Sequence, residues 1–260
     1  MSLLRLIPRL DIKGRNLIKG IHLEGLRVIG DPNEYARRYT DADELLYIDT
    51  VASLYGRNNL LEVVERTSRE VFIPVTVGGG IRSIEDVSRL FGSGADKVAV
   101  NTGALKNPAL VSSIAERYGS QAIVVSIEAK RTAHGWECYT DNGREKTGID
   151  VLRWARQAVE RGAGELLVTS VDQEGTMKGF DCELIRQVSS ECPIPVVACG
   201  GMGNIQHAHD ALDAGADAIA FASVLHYNKL NLGEIRESLE SKFPSGRRGR
   251  ARREEDRPQG

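Results

Sequence analysis

The chain is 260 residues long, with a formal net charge of −2 at pH 7 and 41% hydrophobic residues. That length suits one large α/β domain, and so even a charge balance, with a pI near 6.3, makes no electrostatic case for nucleic acid or an anionic membrane. Cys138, Cys182, Cys192 and Cys199 lack CxxC spacing, Arg5 and Arg9 interrupt the first apolar run, and no run reaches the length of a membrane span, so a disulfide framework, a signal peptide and a membrane protein are all disfavoured and a cytoplasmic protein is expected.

Short runs rich in Val, Ile and Leu alternate with segments of helical period, the pattern of βα units around a parallel sheet. Strands are predicted near 4–10, 44–49, 73–78, 96–101, 122–128, 165–170, 195–199 and 217–222, each followed by a helix. Helix starts are marked at Asp31-Pro32, at Ser83 with Glu85 and Asp86, and at Asn107-Pro108, where a capping oxygen or an N1 proline precedes the first turn. Eight such units predict an α/β fold, a (β/α)8 TIM barrel, over residues 1–243. Two connections stand out, Ile12 to Gly30 and Arg131 to Gly148. Asn142-Gly143 in the second predicts a type I′ hairpin turn. The stretch 244–260 carries six arginines and an acidic run without apolar periodicity, and is expected to be a disordered, solvated tail.

The sequence also repeats itself at an offset of 121 residues. Ile73-Pro74-Val75, Gly79-Gly80 and Gly94-Ala95-Asp96 return without a gap as Ile194-Pro195-Val196, Gly200-Gly201 and Gly215-Ala216-Asp217. The two halves therefore share one plan, which an open doubly wound sheet does not readily explain. Each half places a Gly-Gly turn after one strand and a polar pair after the next, Asn101-Thr102 in one and Ala222-Ser223 in the other. Backbone N–H groups freed at such turns hold phosphate, so a ligand with a phosphate at each end is predicted.

Residues two apart on a strand share a face. Arg5, Ile7, Arg9 and Asp11 therefore point one way, as do Lys97 with Asn101 and Glu165 with Thr169. If Asp11 faces the mouth of the barrel, Arg5 lies on its floor. Glu128 ends the fifth strand, in Ile127-Glu128-Ala129-Lys130, where Asp11 ends the first, in Leu10-Asp11-Ile12-Lys13; Asp172 and Glu174 follow the sixth. Such acids either cap the next helix or do acid–base chemistry, and several at one mouth beside two phosphate turns favour chemistry.

These segments, with Lys19-Gly20, Gly30-Asp31-Pro32, Thr76-Val77-Gly78-Gly79-Gly80-Ile81-Arg82 and Ala198-Cys199-Gly200-Gly201, resemble the cyclase subunits of imidazole glycerol phosphate synthase (HisF). The resemblance runs from about Leu4 to Ser238. It implies a bisphosphorylated formimino aminoimidazole carboxamide ribonucleotide as substrate, to which ammonia is added as it is cleaved to imidazole glycerol phosphate and aminoimidazole carboxamide ribonucleotide. It implies a heterodimer with a HisH-like glutaminase that supplies ammonia through the barrel. No cofactor is expected, and no metal, since His207 and His209 lie two apart on a predicted helix and point apart. Asp11 and Glu174 would be the acid–base pair with Glu128 in support. Lys19, Gly79, Gly80, Asn101, Thr102, Thr169, Gly175, Gly200, Gly201, Ala222 and Ser223 would hold the substrate and its phosphates. Arg5, Glu44, Lys97 and Glu165 would gate ammonia at the floor, and Asp96 would face the glutaminase.

Three residues depart from the family. Cysteine is usual at the place of Arg9, and aspartate at the places of Glu128 and Glu174. Arg9, long and inward by parity, is expected to pair with Glu128 across the barrel. The altered mouth leaves an alternative: a HisF-like subunit that supplies ammonia for amidation of a nucleotide sugar in surface polysaccharide synthesis.

Overall fold

The computed structural model describes residues 4–51 and 60–242. Eight parallel strands form the wall: β1 (Arg5–Lys13), β4 (Leu45–Asp49), β5 (Val75–Gly78), β6 (Lys97–Val100), β7 (Ile123–Thr132), β10 (Glu165–Ser170), β11 (Val196–Cys199) and β12 (Ala218–Phe221). They pair in that order, and β12 pairs with β1, Arg5 opposite Ala218 and Pro8 opposite Phe221, so the sheet closes into a barrel. The predicted (β/α)8 architecture is the one observed. Closure leaves the wall no free edge.

The helices α1 (Pro32–Arg38), α2 (Leu60–Glu70), α3 (Ile84–Gly92), α4 (Thr102–Lys106), α5 (Ala109–Tyr118), α6 (Val151–Glu160), α7 (Cys182–Glu191), α8 (Ile205–Asp213), α9 (Ser223–His226) and α10 (Leu232–Lys242) lie between strands or after the last. Outward strand residues such as Leu6, Leu10, Val98 and Leu166 pack with helix residues such as Leu90, Ile114 and Trp154 in the main core. Inward residues Ile7, Leu46, Ala99, Val124, Leu167, Val197, Ala218 and Ala220 form a second, smaller cluster inside the barrel. No described helix is long and apolar enough to cross a membrane.

Both long connections are hairpins that prolong the wall at the mouth. β2 (Asn16–Ile21) and β3 (Glu24–Gly30) grow from β1, with Asp11 opposite Ile18. β8 (Gly135–Thr140) and β9 (Glu145–Asp150) grow from β7, with Glu128 opposite Tyr139. That pairing carries β1 and β7 past their predicted ends. The turn at Asn142-Gly143 is not the two-residue type expected. Asp141, Asn142 and Gly143 take positive φ of 53°, 62° and 73°, and Arg144 N–H closes the loop onto Thr140 O at 3.0 Å.

Two predicted helix starts act as expected. Asp31 accepts from the N–H groups of Asn33 and Glu34, and Ser83 with Asp86 forms a reciprocal capping box, which satisfies donors that a helix start leaves unpaired. The third differs: α5 begins at Ala109, with Pro108 at its N-cap and no side-chain cap. The predicted tail, 244–260, lies outside the described residues.

The 121-residue repeat is reproduced down to single hydrogen bonds. Asp96 Oδ2 accepts from Val75 N at 2.8 Å while Asp96 N donates to Val75 O at 2.8 Å. Asp217 does the same with Val196, at 2.9 and 2.8 Å. Asp43 repeats the clasp on Leu6, at 2.8 and 3.1 Å. At the fourth place stands Gly164, whose N–H reaches Ile123 O at 3.1 Å but which has no carboxylate to return the bond. Each clasp sets the start of one strand against its neighbour. Asp96→Ala and Asp217→Ala should each lower unfolding free energy by about 1 kcal/mol, the usual worth of such a bond, in chemical denaturation; a loss confined to one half would contradict the equivalence.

Candidate active site

At the floor of the barrel, strand parity brings together Arg5 of β1, Glu44 just before β4, Lys97 of β6 and Glu165 of β10. Arg5 Nη1 donates to Glu44 Oε2 at 2.8 Å, and Arg5 also pairs closely with Glu165. Lys97 Nζ reaches Glu44 Oε2 at 2.7 Å and Glu165 Oε2 at 3.4 Å, while Thr76 Oγ1 donates to Glu44 Oε1. Both glutamates are buried. The four residues form a closed ring of alternating sign, in which each buried carboxylate has two cations; an unpaired one would cost several kcal/mol. Asp96 stands beside this ring, its carboxylate committed to the Val75 clasp.

Above the ring comes the apolar layer of Ile7, Leu46, Val124 and Leu167, and above that Arg9. Its Nε donates to Asp11 Oδ1 at 2.8 Å, and its Nη1 lies 3.3 Å from both Thr169 Oγ1 and Cys199 Sγ. The expected Arg9 to Glu128 pair is therefore not formed. Its Nε is instead taken by Asp11 on the same strand, and its Nη1 reaches toward β10 and β11.

Asp11, Lys19 and Glu174 complete a buried charge cluster with Arg9. Their exposures are 3, 4, 4 and 3% respectively, so the charges must be compensated by one another rather than by water. Lys19, on β2, makes a close bond to Glu174 and lies 3.8 Å from Asp11 Oδ2. The hairpin is pinned over the loop after β10, where His22 N donates to Glu174 O at 2.8 Å. Burial pushes the Asp11 carboxyl up, but Arg9 and Lys19 beside it hold it below the usual carboxylate range. The same pairs, working against burial, hold the Lys19 ammonium above its ordinary value.

Glu128 has the opposite environment. It lies on β7, diametrically across the barrel from β1, and its Oε2 accepts from Gly143 N at 2.8 Å. Burial pushes its carboxyl up to about 7, against the lowering effects of that bond and of the more distant Arg9. Asp172, also singled out in the sequence, caps the end of β7 by accepting from Arg131 N at 2.8 Å.

The two phosphate turns flank these acids. A cavity of about 300 Å³ is lined by Gly79, Gly80, Asn101, Thr102 and Glu128. A pocket of about 10 Å³ is lined by Gly200, Gly201, Ala222 and Ser223, with Arg9, Glu174 and Gly175. Gly79 and Gly201 have φ of 104° and 107°, and a Cβ on either would run into a carbonyl oxygen, of Asp49 or of Gly179. Only glycine lets the backbone turn there. Thr169 is reached by Arg9 rather than by either pocket.

Sequence reasoning missed several residues of the mouth. Arg82, Lys106 and Asn107 line the larger cavity, in the turn and short helix just beyond the glycines, where two cations near a predicted phosphate turn were a readable signal. Asn142 also lines it, from the β8–β9 turn, with its Nδ2 donating to Leu23 O at 3.1 Å. His226 left no signal at all, because its partners are distant in sequence: its Nδ1 accepts from Tyr39 OH at 2.8 Å and its Nε2–H donates to Arg9 O at 3.1 Å.

The chain matches the family of histidine biosynthesis proteins over residues 5–231. It is 66% identical over 209 residues to the imidazole glycerol phosphate synthase subunit HisF of Legionella pneumophila, covering 79% of this chain and 99% of that protein. It is 48% identical over 240 residues to the subunit of the same name from Leifsonia xyli subsp. xyli, covering 90% and 94%.

Burial, with Lys19 nearby, lowers His226 to about 4, whereas an unfolded histidine titrates near 6.5. Between those values only the unfolded chain takes the proton, so the neutral ring's contribution is complete above about 6.5 and is lost as pH falls toward 4, an effect of about 3 kcal/mol. The stability gap between the native protein and His226→Gln should widen by that order from pH 4 to 6.5 and stay level above; a gap independent of pH would contradict the assignment.

Proposed function

The chain belongs to the histidine biosynthesis family, as a HisF cyclase subunit of imidazole glycerol phosphate synthase and thus a lyase, and from that premise we propose how its mouth carries out the reaction. The substrate is a bisphosphorylated formimino aminoimidazole carboxamide ribonucleotide. One phosphate rests on Gly79-Gly80 and Asn101-Thr102, with Arg82 and Lys106 on the same cavity wall. The other rests on Gly200-Gly201 and Ala222-Ser223. The 121-residue repeat sets those two anchors on opposite sides of the mouth and leaves the reacting centre between them.

Adding ammonia and cleaving the substrate both require proton movement: the attacking nitrogen sheds protons and the departing nitrogen gains one. The observation that carries our assignment is the contrast between two carboxyl groups on opposite walls. Asp11 lies 2.8 Å from Arg9 and 3.8 Å from Lys19, which hold it low. Glu128, at the cavity, is bonded to Gly143 N with no ion pair among the described residues, and removal from water raises it to about 7. A pair of acids pushed apart in this way can divide acid and base roles. Glu128, close to half protonated at neutral pH, can both give and take a proton. Asp11 stays ionised and stabilises positive charge as nitrogen adds. Glu174, tied to Lys19, orients that lysine beside Asp11.

Ammonia would come from a glutaminase subunit docked at the floor, passing the ring of Arg5, Glu44, Lys97 and Glu165. Asp96, whose carboxylate is spent on a strand clasp, serves that interface by fixing Lys97 beside it. The nucleotide-sugar alternative draws no support from the two relatives.

Turnover of the formimino ribonucleotide with ammonium salt and no glutaminase tests the reading. Imidazole glycerol phosphate and aminoimidazole carboxamide ribonucleotide should form together, and Glu128→Gln should lower kcat by about 10²-fold or more with KM little changed. Binding without product in the native protein, or full kcat in Glu128→Gln, would contradict it.

A further inference from the structure

Arg9 starts on β1 and its guanidinium reaches Thr169 on β10 and Cys199 on β11. In the strand order, β10 lies three places from β1 around an eight-stranded wall. The side chain therefore crosses the interior rather than lying against its own strand. Below it is the apolar layer of Ile7, Leu46, Val124, Leu167 and Val197, and below that the ring of four charges. Above it are Asp11 and the mouth. The interior is thus an apolar chamber with a charged closure at each end.

We propose that Arg9 is a second, inner barrier on the ammonia route, resting on the reading that ammonia enters through the floor. Neutral ammonia that has passed the ring meets a guanidinium fixed on three sides, by Asp11, Thr169 and Cys199, just before the reacting centre. Ammonia supplied from bulk solution reaches the centre by the open mouth and does not meet it. Arg9 also lines the small pocket at Gly200-Gly201 and Ser223. A phosphate seated there competes with Asp11 for the guanidinium and draws it off the axis, so admission of ammonia follows occupation of the site.

The barrier affects one supply route and the Arg9 to Asp11 pair affects both, so a ratio separates them. In the complex with a histidine-pathway glutaminase, product formation is measured with glutamine and, separately, with ammonium salt, for the native chain, Arg9→Cys and Arg9→Lys. Lysine keeps the charge beside Asp11 but is too short and too narrow to span to β10. Both variants leave Lys19 to balance Asp11, and thermal unfolding of each complex reports whether it is folded. The glutamine-to-ammonium rate ratio should rise several-fold in both variants, whatever happens to the absolute rates. A ratio unchanged from the native value would overturn the barrier while leaving the cyclase reading intact. Product with ammonium but none with glutamine, in all three proteins, would overturn entry through the floor and the barrier with it. No product by either route from the native chain would overturn the cyclase reading itself.

Discussion

The molecule depends on one constraint, the alternation of side chains along strands that close into a barrel. In β1 it sends Arg5, Ile7, Arg9 and Asp11 inward at successive heights, and every other strand must match those heights with its own inward residues. The charges at the floor can be buried because Glu44, Lys97 and Glu165 arrive at the height of Arg5. The same rule delivers Arg9 beneath Asp11. A shift of one residue in any strand would turn these charges into the apolar layer between sheet and helices, where nothing could compensate them.

From that arrangement the electrostatics follow. Asp11 sits among cations that are as buried as it is, and their attraction exceeds the cost of removing it from water. Glu128 is on the far wall, where the Gly143 N–H, the Asn101 side chain and a distant Arg9 lower its carboxyl by less than removal from water raises it. Two acids at corresponding places in the two halves thus acquire opposite shifts in proton affinity, chiefly because Arg9 and Lys19 lie against Asp11 while Arg9 acts on Glu128 only from a distance. The duplicated scaffold supplies symmetric anchors, and the unsymmetric charges between them supply chemistry.

Much of this was legible in the sequence. Strand parity put Arg5, Lys97 and Glu165 on inward faces, the family resemblance added Glu44 and the ring, the strand runs gave the barrel, and the ungapped repeat gave both glycine turns. The partners of Arg9 were not legible: parity states which way a side chain points, but not that a long one will cross the interior to Thr169 and Cys199 while its Nε is held by Asp11. The first hairpin was not legible because the Ile12 to Gly30 segment is punctuated by glycine and its pairing is set by β1 rather than by its own alternation, whereas Asn142-Gly143 signalled the second and only its turn type differed. His226 and Tyr39, 187 residues apart, meet only because the barrel closes.

The central claim is that Asp11 and Glu128 have been driven apart in proton affinity. Carbon-detected NMR titration of the side-chain carboxyl groups, assigned with Asp11→Asn and Glu128→Gln, measures it directly. The account predicts that Glu128 titrates near 7 while Asp11 remains ionised to below the ordinary aspartate range. Titration of both groups together near their ordinary values, or protonation of Asp11 before Glu128 as pH falls, would contradict it.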